Sequence, residues 1–247
     1  MKLETVLKSK EIVETLEAFS KSLEISVWLS DPQIERVNKI SPVWGEKPAK
    51  KEIDRVGMLK AECQPHRIEI RRKAVAQRKP IIELCPLQLY VFTAPIFIDD
   101  ELIGFFEGDG AKARPMDEEW RKIAEEKQKR YGFDIKIIEE CVGENTRIKS
   151  KEELAGMIDV VVSSIKLYLE LLKKQEAFIK QLIEISKNIT KTAKNIQTLG
   201  INAAIESAKL GEKGAGFAVV ASEIKKVGDL VSQQAKVLKE HIDKLIT

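Results

Sequence analysis

No stretch of this sequence approaches the ~18 consecutive apolar residues that a membrane-crossing helix requires, so insertion into a bilayer is not expected. The opening Met1-Lys2-Leu3-Glu4 is amphipathic and carries an acid, unlike a secretion signal. Three cysteines in 247 residues do not make a disulfide framework. An excess of one charge is also missing, since 42 basic residues face 39 acidic ones for a net +3. A uniformly basic surface is thereby excluded, and nucleic acid is a poor candidate partner. The basic run Arg67, Arg71, Arg72, Lys73, Arg78 and Lys79 reads as a solvated helix face. What the chain does have is a hydrophobic fraction of 43%, enough to bury a core and to exclude wholesale disorder. Its charged residues, 33% and of both signs, suit long solvated helices. A soluble, cytoplasmic protein is expected.

The N-terminal half mixes helical and extended patterns. Residues 2–23 place Leu3, Val6, Ile12, Leu16, Phe19 and Leu23 at helical spacing. Ile25 to Leu29 reads as a short strand ended by the turn-forming Ser30-Asp31-Pro32. Pro42, Gly45 and Pro48 make 41–50 a loop. The pattern predicts a helical region over 51–79, interrupted at Pro65 and stopped by Pro80. Strands follow at 81–85 and 89–98, and Asp99-Asp100 turns the chain into a third at 101–107. Gly108-Asp109-Gly110 closes the sheet, and a helix fits 116–131 between Pro115 and Gly132.

From about Lys151 a repeat of seven takes over. Leu154, Val161, Tyr168, Leu182, Ile189, Ile196, Ala203 and Leu210 form one line, and Ile158, Ile165, Leu172, Ile179, Ala193 and Gly200 another. Gln175 and Ser186 are the exceptions. Gly211 to Gly216 breaks the run, which resumes with Phe217, Ile224, Val231, Leu238 and Leu245. This is an antiparallel helical hairpin, and apolar faces this long require a second hairpin. A homodimer with a four-helix coiled-coil bundle is expected.

Around the bend the sequence reads Asn-Ala-Ala-Ile-Glu-Ser-Ala-Lys-Leu-Gly-Glu-Lys-Gly-Ala-Gly-Phe-Ala-Val-Val-Ala-Ser-Glu-Ile over 202–224. It resembles the cytoplasmic tip of methyl-accepting chemotaxis receptors. The resemblance implies that Gly211, Gly214 and Gly216 form the bend of a signalling hairpin. It implies further that Asn202, Glu206, Glu212, Phe217 and Val219 touch a coupling protein and the chemotaxis histidine kinase. The residue chemistry agrees, since exposed Phe217 and Val219 among Glu206 and Glu212 make an apolar anchor with a charged rim. Small residues at Ala203, Ala204, Ala208, Ala218 and Ala221 allow helices to approach closely. The helix after the bend, 216–247, is too short for the family's adaptation helices, so methylation control is not expected.

Upstream, Cys63, then Lys79-Pro80-Ile81-Ile82-Glu83-Leu84-Cys85-Pro86-Leu87-Gln88-Leu89-Tyr90-Val91-Phe92-Thr93-Ala94-Pro95-Ile96, then Leu102-Ile103-Gly104 and Gly108, resemble the PocR-type sensory domain. That resemblance implies a PAS-like antiparallel sheet flanked by helices, with a ligand cavity over the sheet and Cys63 near Cys85. Strand alternation puts Tyr90 and Phe92 on one face, where they are expected to line the pocket. Trp28, Trp44, Tyr90, Phe92, Phe105 and Phe106 are expected in the core as a set. Cys63-Gln64-Pro65-His66 has C-x-x-H spacing, and Cys85 adds a third donor. A zinc or redox site needs more than this, so two buried thiols beside a solvated His66 is the preferred reading, with no metal and no cofactor. Nothing supplies an orienting acid or oxyanion donors for a cysteine nucleophile, so no catalytic residue is expected.

The fold class is therefore α+β, with a PocR-type sensory domain at 1–145 and a signalling hairpin at 146–247. The function it implies is a soluble, non-enzymatic transducer that senses a small organic ligand and controls the kinase. Two alternatives stay open, a metal- or redox-dependent sensor and a dimerising ligand-binding module without kinase coupling.

Overall fold

The computed structural model describes residues 2–46, 48–142 and 148–246. After a 3-10 turn at Leu3–Lys8, helix α1 spans Lys10–Leu23. Its N-cap is Ser9, whose hydroxyl accepts from the Ile12 amide at 3.3 Å, and Glu24 ends it in the left-handed conformation. Strand β1 covers Ser26–Ser30, α2 Pro48–Arg55 and α3 Gln64–Gln77, with a π-helical turn at Leu59–Cys63 leading into α3. Pro65 does not interrupt that helix. It sits in the first turn of α3, where a proline's missing N–H costs nothing. The loop expected over 41–50 gives way to helix at Pro48.

Strands β2 (Ile81–Leu84), β3 (Leu89–Ile98) and β4 (Glu101–Lys112) follow. With β1 they form an antiparallel sheet of order β1-β4-β3-β2. β4 runs past the expected stop at Gly108, because β1 and β3 continue to pair with it as far as Asp109 and Lys112. Helix α4 (Glu118–Tyr131) is capped by Asp117 and ended by Gly132. The short α5 (Ile135–Val142) is a helix that the pattern did not anticipate.

Apolar side chains on one face of the sheet, Val27, Leu29, Phe92, Ala94, Ile96 and Phe106, meet Leu16, Phe19 and Leu23 of α1. Phe19 meets Phe92 and Phe106 edge-on and those two rings are tilted, a trio with centroids 5.1–6.3 Å apart. Leu154, Ile158, Val161 and Ile165, at the start of helix α6 (Lys151–Lys209), complete the same core. On the other face α3 packs over β2 and β3, and a smaller cluster of Met58, Leu87, Trp120, Ala124, Phe133 and Ile138 gathers α4 and α5 there. A division between 145 and 146 falls outside the described residues. By packing, the chain divides after Leu171, because the first turns of α6 bury their heptad residues in the sensory core.

The second unit, Leu172–Thr247, holds the rest of α6, a 3-10 turn at Gly211–Gly214 and helix α7 (Ala215–Ile246). Its buried line recurs every seven residues straight through the bend: Ser186, Ala193, Gly200, Ser207, Gly214, Ala221, Gly228, Ala235 and Ile242. The helices meet along these small residues. A side chain at Gly200 would strike the Lys225 backbone at 2.9 Å. Of the alanines expected to permit this approach only Ala221 is buried, whereas Ala204, Ala208 and Ala218 face outward. At the bend Gly211 has φ +58°, and a Cβ on Gly214 would lie 2.1 Å from the Ser207 carbonyl oxygen. Nothing stands within 4 Å of a Cβ built on Gly216. We therefore expect Gly214→Ala to cost about 1–3 kcal/mol and Gly216→Ala to be neutral or stabilising, as read by thermal unfolding followed by circular dichroism.

Candidate functional site

The sensory unit encloses a cavity of about 260 Å³ on the α3 side of the sheet. Trp28 of β1 forms part of its wall, and α2, the π-helical turn, α3, β3, β4, α5 and the loops that carry Lys39 and Leu87 supply the rest. Ile53, Leu59, Leu87, Leu89, Val91 and Ile138 are its apolar lining, and Lys39, Lys50, Arg67 and Asp109 carry its charge. The three cations gather on the Trp28 ring, with Lys50 Nζ at 4.2 Å, Lys39 Nζ at 4.8 Å and the Arg67 guanidinium carbon at 5.0 Å from its centroid. Asp109 is the nearby carboxylate, 3.5 Å from Arg67 and 3.9 Å from Lys50. Arg67 is held rigidly, since its guanidinium donates to the carbonyls of Phe92 (2.5 Å) and Gly108 (3.1 Å). Burial, and then the charge of Lys50, push the Lys39 ammonium down to about 8.

Beneath this layer lies a buried ion pair. Glu107 and Arg71 are both fully buried, with Arg71 Nη2 2.5 Å and Nε 3.0 Å from the carboxylate. Ser30 Oγ (2.6 Å), Thr93 Oγ1 (3.0 Å) and Trp28 Nε1 (3.2 Å) also donate to Glu107. Burial alone raises the carboxyl's pKa, but the bond from Arg71, the charges of Arg67 and Arg71, and the Ser30 hydroxyl outweigh it, and the net shift is downward. Glu107 thereby fixes the indole against which the three cations lie.

The basic run is thus divided. Arg72 and Arg78 are solvated, but Arg67 and Arg71 are buried because carboxylates and carbonyls on the sheet receive them. His66 is likewise not a solvated surface group: its Nε2 is buried without a hydrogen-bond partner, and burial lowers its pKa. Cys63 and Cys85 both line the cavity, whereas Tyr90 and Phe92 lie on the opposite face of the sheet, with Phe92 in the aromatic trio. Alternation pairs those two residues correctly and cannot say which face they take. Burial pushes the Cys63 thiol up to about 12 and raises that of Cys85, so both hold their protons at neutral pH. Among the described residues no group of three or more His, Cys, Asp or Glu is placed to hold a metal ion.

At the hairpin tip Asn202, Glu206, Glu212, Phe217 and Val219 are all exposed. Phe217 and Val219 keep 67% and 65% of their surface open, far more than isolated core residues would. Glu206 pairs with Lys209 at 2.6 Å, an exposed contact on its own helix.

Over residues 124–247 the chain matches the family described as the methyl-accepting chemotaxis protein (MCP) signalling domain, and over residues 5–172 the sensory domain found in PocR. It is 36% identical over 98 residues to the methyl-accepting chemotaxis protein PscA of Pseudomonas syringae, covering 40% of this chain and 14% of that protein. It is 32% identical over 95 residues to the methyl-accepting chemotaxis protein TlpA of Bacillus subtilis, covering 38% and 14%. Against the biofilm dispersion protein BdlA of Pseudomonas aeruginosa the identity is 36% over 67 residues, or 27% of this chain and 16% of that one. The matches therefore span less than a fifth of each relative's length. No solved structure matches the chain significantly. No helix among the described residues is long and apolar enough to cross a membrane.

Proposed function

The chain belongs to the methyl-accepting chemotaxis signalling-domain family and to the PocR sensory-domain family, and we propose that it is a soluble cytoplasmic transducer linking a small organic ligand to the chemotaxis histidine kinase. Its families are signal transducers, and its work is binding and conformational bias, not chemistry on a substrate. The observation that carries this reading is helix α6. It starts with Leu154, Ile158, Val161 and Ile165 packed in the core of the sensory sheet, and ends at the bend beside exposed Phe217. A ligand that binds one packing of the sensory core better than another biases the helix they share. Phe217, Val219, Glu206 and Glu212 then present the anchor and rim for the coupling protein and kinase.

The test is a reconstitution of the full chain with purified coupling protein and chemotaxis kinase, reading autophosphorylation. The protein is expected to change the kinase rate. Phe217→Ala is expected to weaken coupling-protein binding by about 1–3 kcal/mol, with the circular dichroism unchanged. An identical kinase rate with and without the protein would refute the coupling.

A further inference from the structure

We propose that the cavity beside Trp28 is the seat of a small organic acid, its carboxylate held by Lys39, Lys50 and Arg67 and its apolar body against Ile53, Leu59, Leu89 and Ile138. The proposal rests on the small-molecule sensing reading above and names the ligand's chemistry.

Three observations converge on it. First, charge is unbalanced in the cavity. Three cations line it against one carboxylate, Asp109, whose ion pairs are long at 3.5 and 3.9 Å, while Glu46 and Glu107 act on Lys39 and Arg67 from outside the lining. Second, among the described residues two buried side-chain nitrogens or oxygens lack a hydrogen-bond partner, Lys50 Nζ and His66 Nε2, and both residues line this same cavity. A buried ammonium without a hydrogen-bond partner is costly, and the indole face and the long ion pair with Asp109 offset only part of that cost. An incoming carboxylate would supply the missing acceptor and neutralise the surplus charge. Third, the remaining lining is aliphatic, and about 260 Å³ lies just under the ~300–1,000 Å³ of drug-sized pockets. A bare inorganic anion would leave that lining unfilled, a neutral hydrocarbon would strand Lys50, and a cation would meet three of its own sign. The roles differ among the three cations. The Arg67 fork is already committed to the Phe92 and Gly108 carbonyls, so it acts as a fixed charge, while the lysines are the adjustable donors.

The pH dependence follows from the groups that surround Lys39. Lys50 lowers its pKa, Asp109 and Glu46 raise it, and burial leads the balance down to about 8. Above that value the free protein holds Lys39 neutral and must take up a proton to bind an acid. Acid affinity is therefore expected to fall as pH rises through about 8.

The experiment is thermal unfolding of the full chain with linear carboxylates from propionate to octanoate, benzoate and phenylacetate. The matched alcohols, the matched amines and inorganic phosphate are run beside them. At least one carboxylate is expected to raise the melting temperature saturably, as binding to the folded form requires, and its alcohol and amine are not. Lys50→Met is expected to stabilise the empty protein, by removing an unsatisfied cation, and to weaken the acid by about tenfold or more. Lys50→Arg is expected to restore part of the binding. Stabilisation by alcohols or amines alone would overturn the acid while leaving small-molecule sensing standing, and stabilisation by phosphate alone would overturn the organic body. No stabilisation by any compound would defeat both readings. An acid that binds Lys50→Met as tightly as wild type, or with no dependence on pH near 8, would overturn the three-cation seat.

Discussion

Replacing Glu107 by leucine is expected to remove about 3–5 kcal/mol of stability from the sensory unit, the usual loss when one partner of a buried ion pair is deleted. The deletion strands Arg71, which is fully buried and whose remaining bonds go to the carbonyls of Gln33 and Arg36, both at 2.6 Å. It also orphans the Ser30 and Thr93 hydroxyls and the Trp28 indole N–H. Glu107→Gln keeps the shape and loses the charge, so it should fall between wild type and Glu107→Leu in urea denaturation followed by tryptophan fluorescence. The carboxyl titrates below its ordinary 4.5, so the native state binds fewer protons than the unfolded one. Its contribution is present above the ordinary carboxylate range and is lost as pH falls through the depressed value. Glu107→Gln should flatten that acid limb. A variant as stable as wild type, with the acid limb intact, would mean that Arg71 is satisfied by the two carbonyls alone. The same deletion should loosen Trp28 and so weaken ligand binding at the cavity above it.

How much of this was legible depends on whether the deciding contact is local. Strand β3 is legible at 89–98, because ten residues rich in aromatic and branched side chains run into Asp99-Asp100, both at positive φ in the turn. Its two faces were not distinguishable, since Leu89 and Val91 are as apolar as Tyr90 and Phe92. Arg67 and Arg71 sit four apart on α3, and from that helix alone they look like any solvated pair. What buries them is Glu107, 36 residues from Arg71, and the carbonyls of Phe92 and Gly108. One signal was available: Glu107 follows Ile103 and Phe105 at strand spacing, so a charge stands where an inward-facing residue belongs. In the same way the heptad at Leu154 to Ile165 was plain, yet periodicity does not say what covers it. There it is the sensory sheet.

The helices beyond Leu171 raise the same question, and a second copy of the chain is expected to answer it. Within one hairpin the buried seam is Ser, Ala and Gly as far as Ala235, with Ile242 beyond, so it brings α6 and α7 close but buries little apolar surface. Leu182, Ile189 and Ile196 on α6, with Ile224, Val231 and Leu238 on α7, are only half-buried beside that seam. Phe178, Ile185, Leu199, Val227 and Leu230 are exposed outright. So long an apolar face on two helices is what a four-helix bundle covers, and the heptad spacing supplies knobs at matching heights on a symmetry mate. The double variant Leu182→Lys, Ile189→Lys would bring like charges together in that seam on both copies, unpaired and desolvated. Sedimentation velocity is expected to show a dimer for the wild type and a monomer for the variant, with the helices of each hairpin retained in circular dichroism. A variant that still sediments as the dimer would place the interface elsewhere than along these heptad positions.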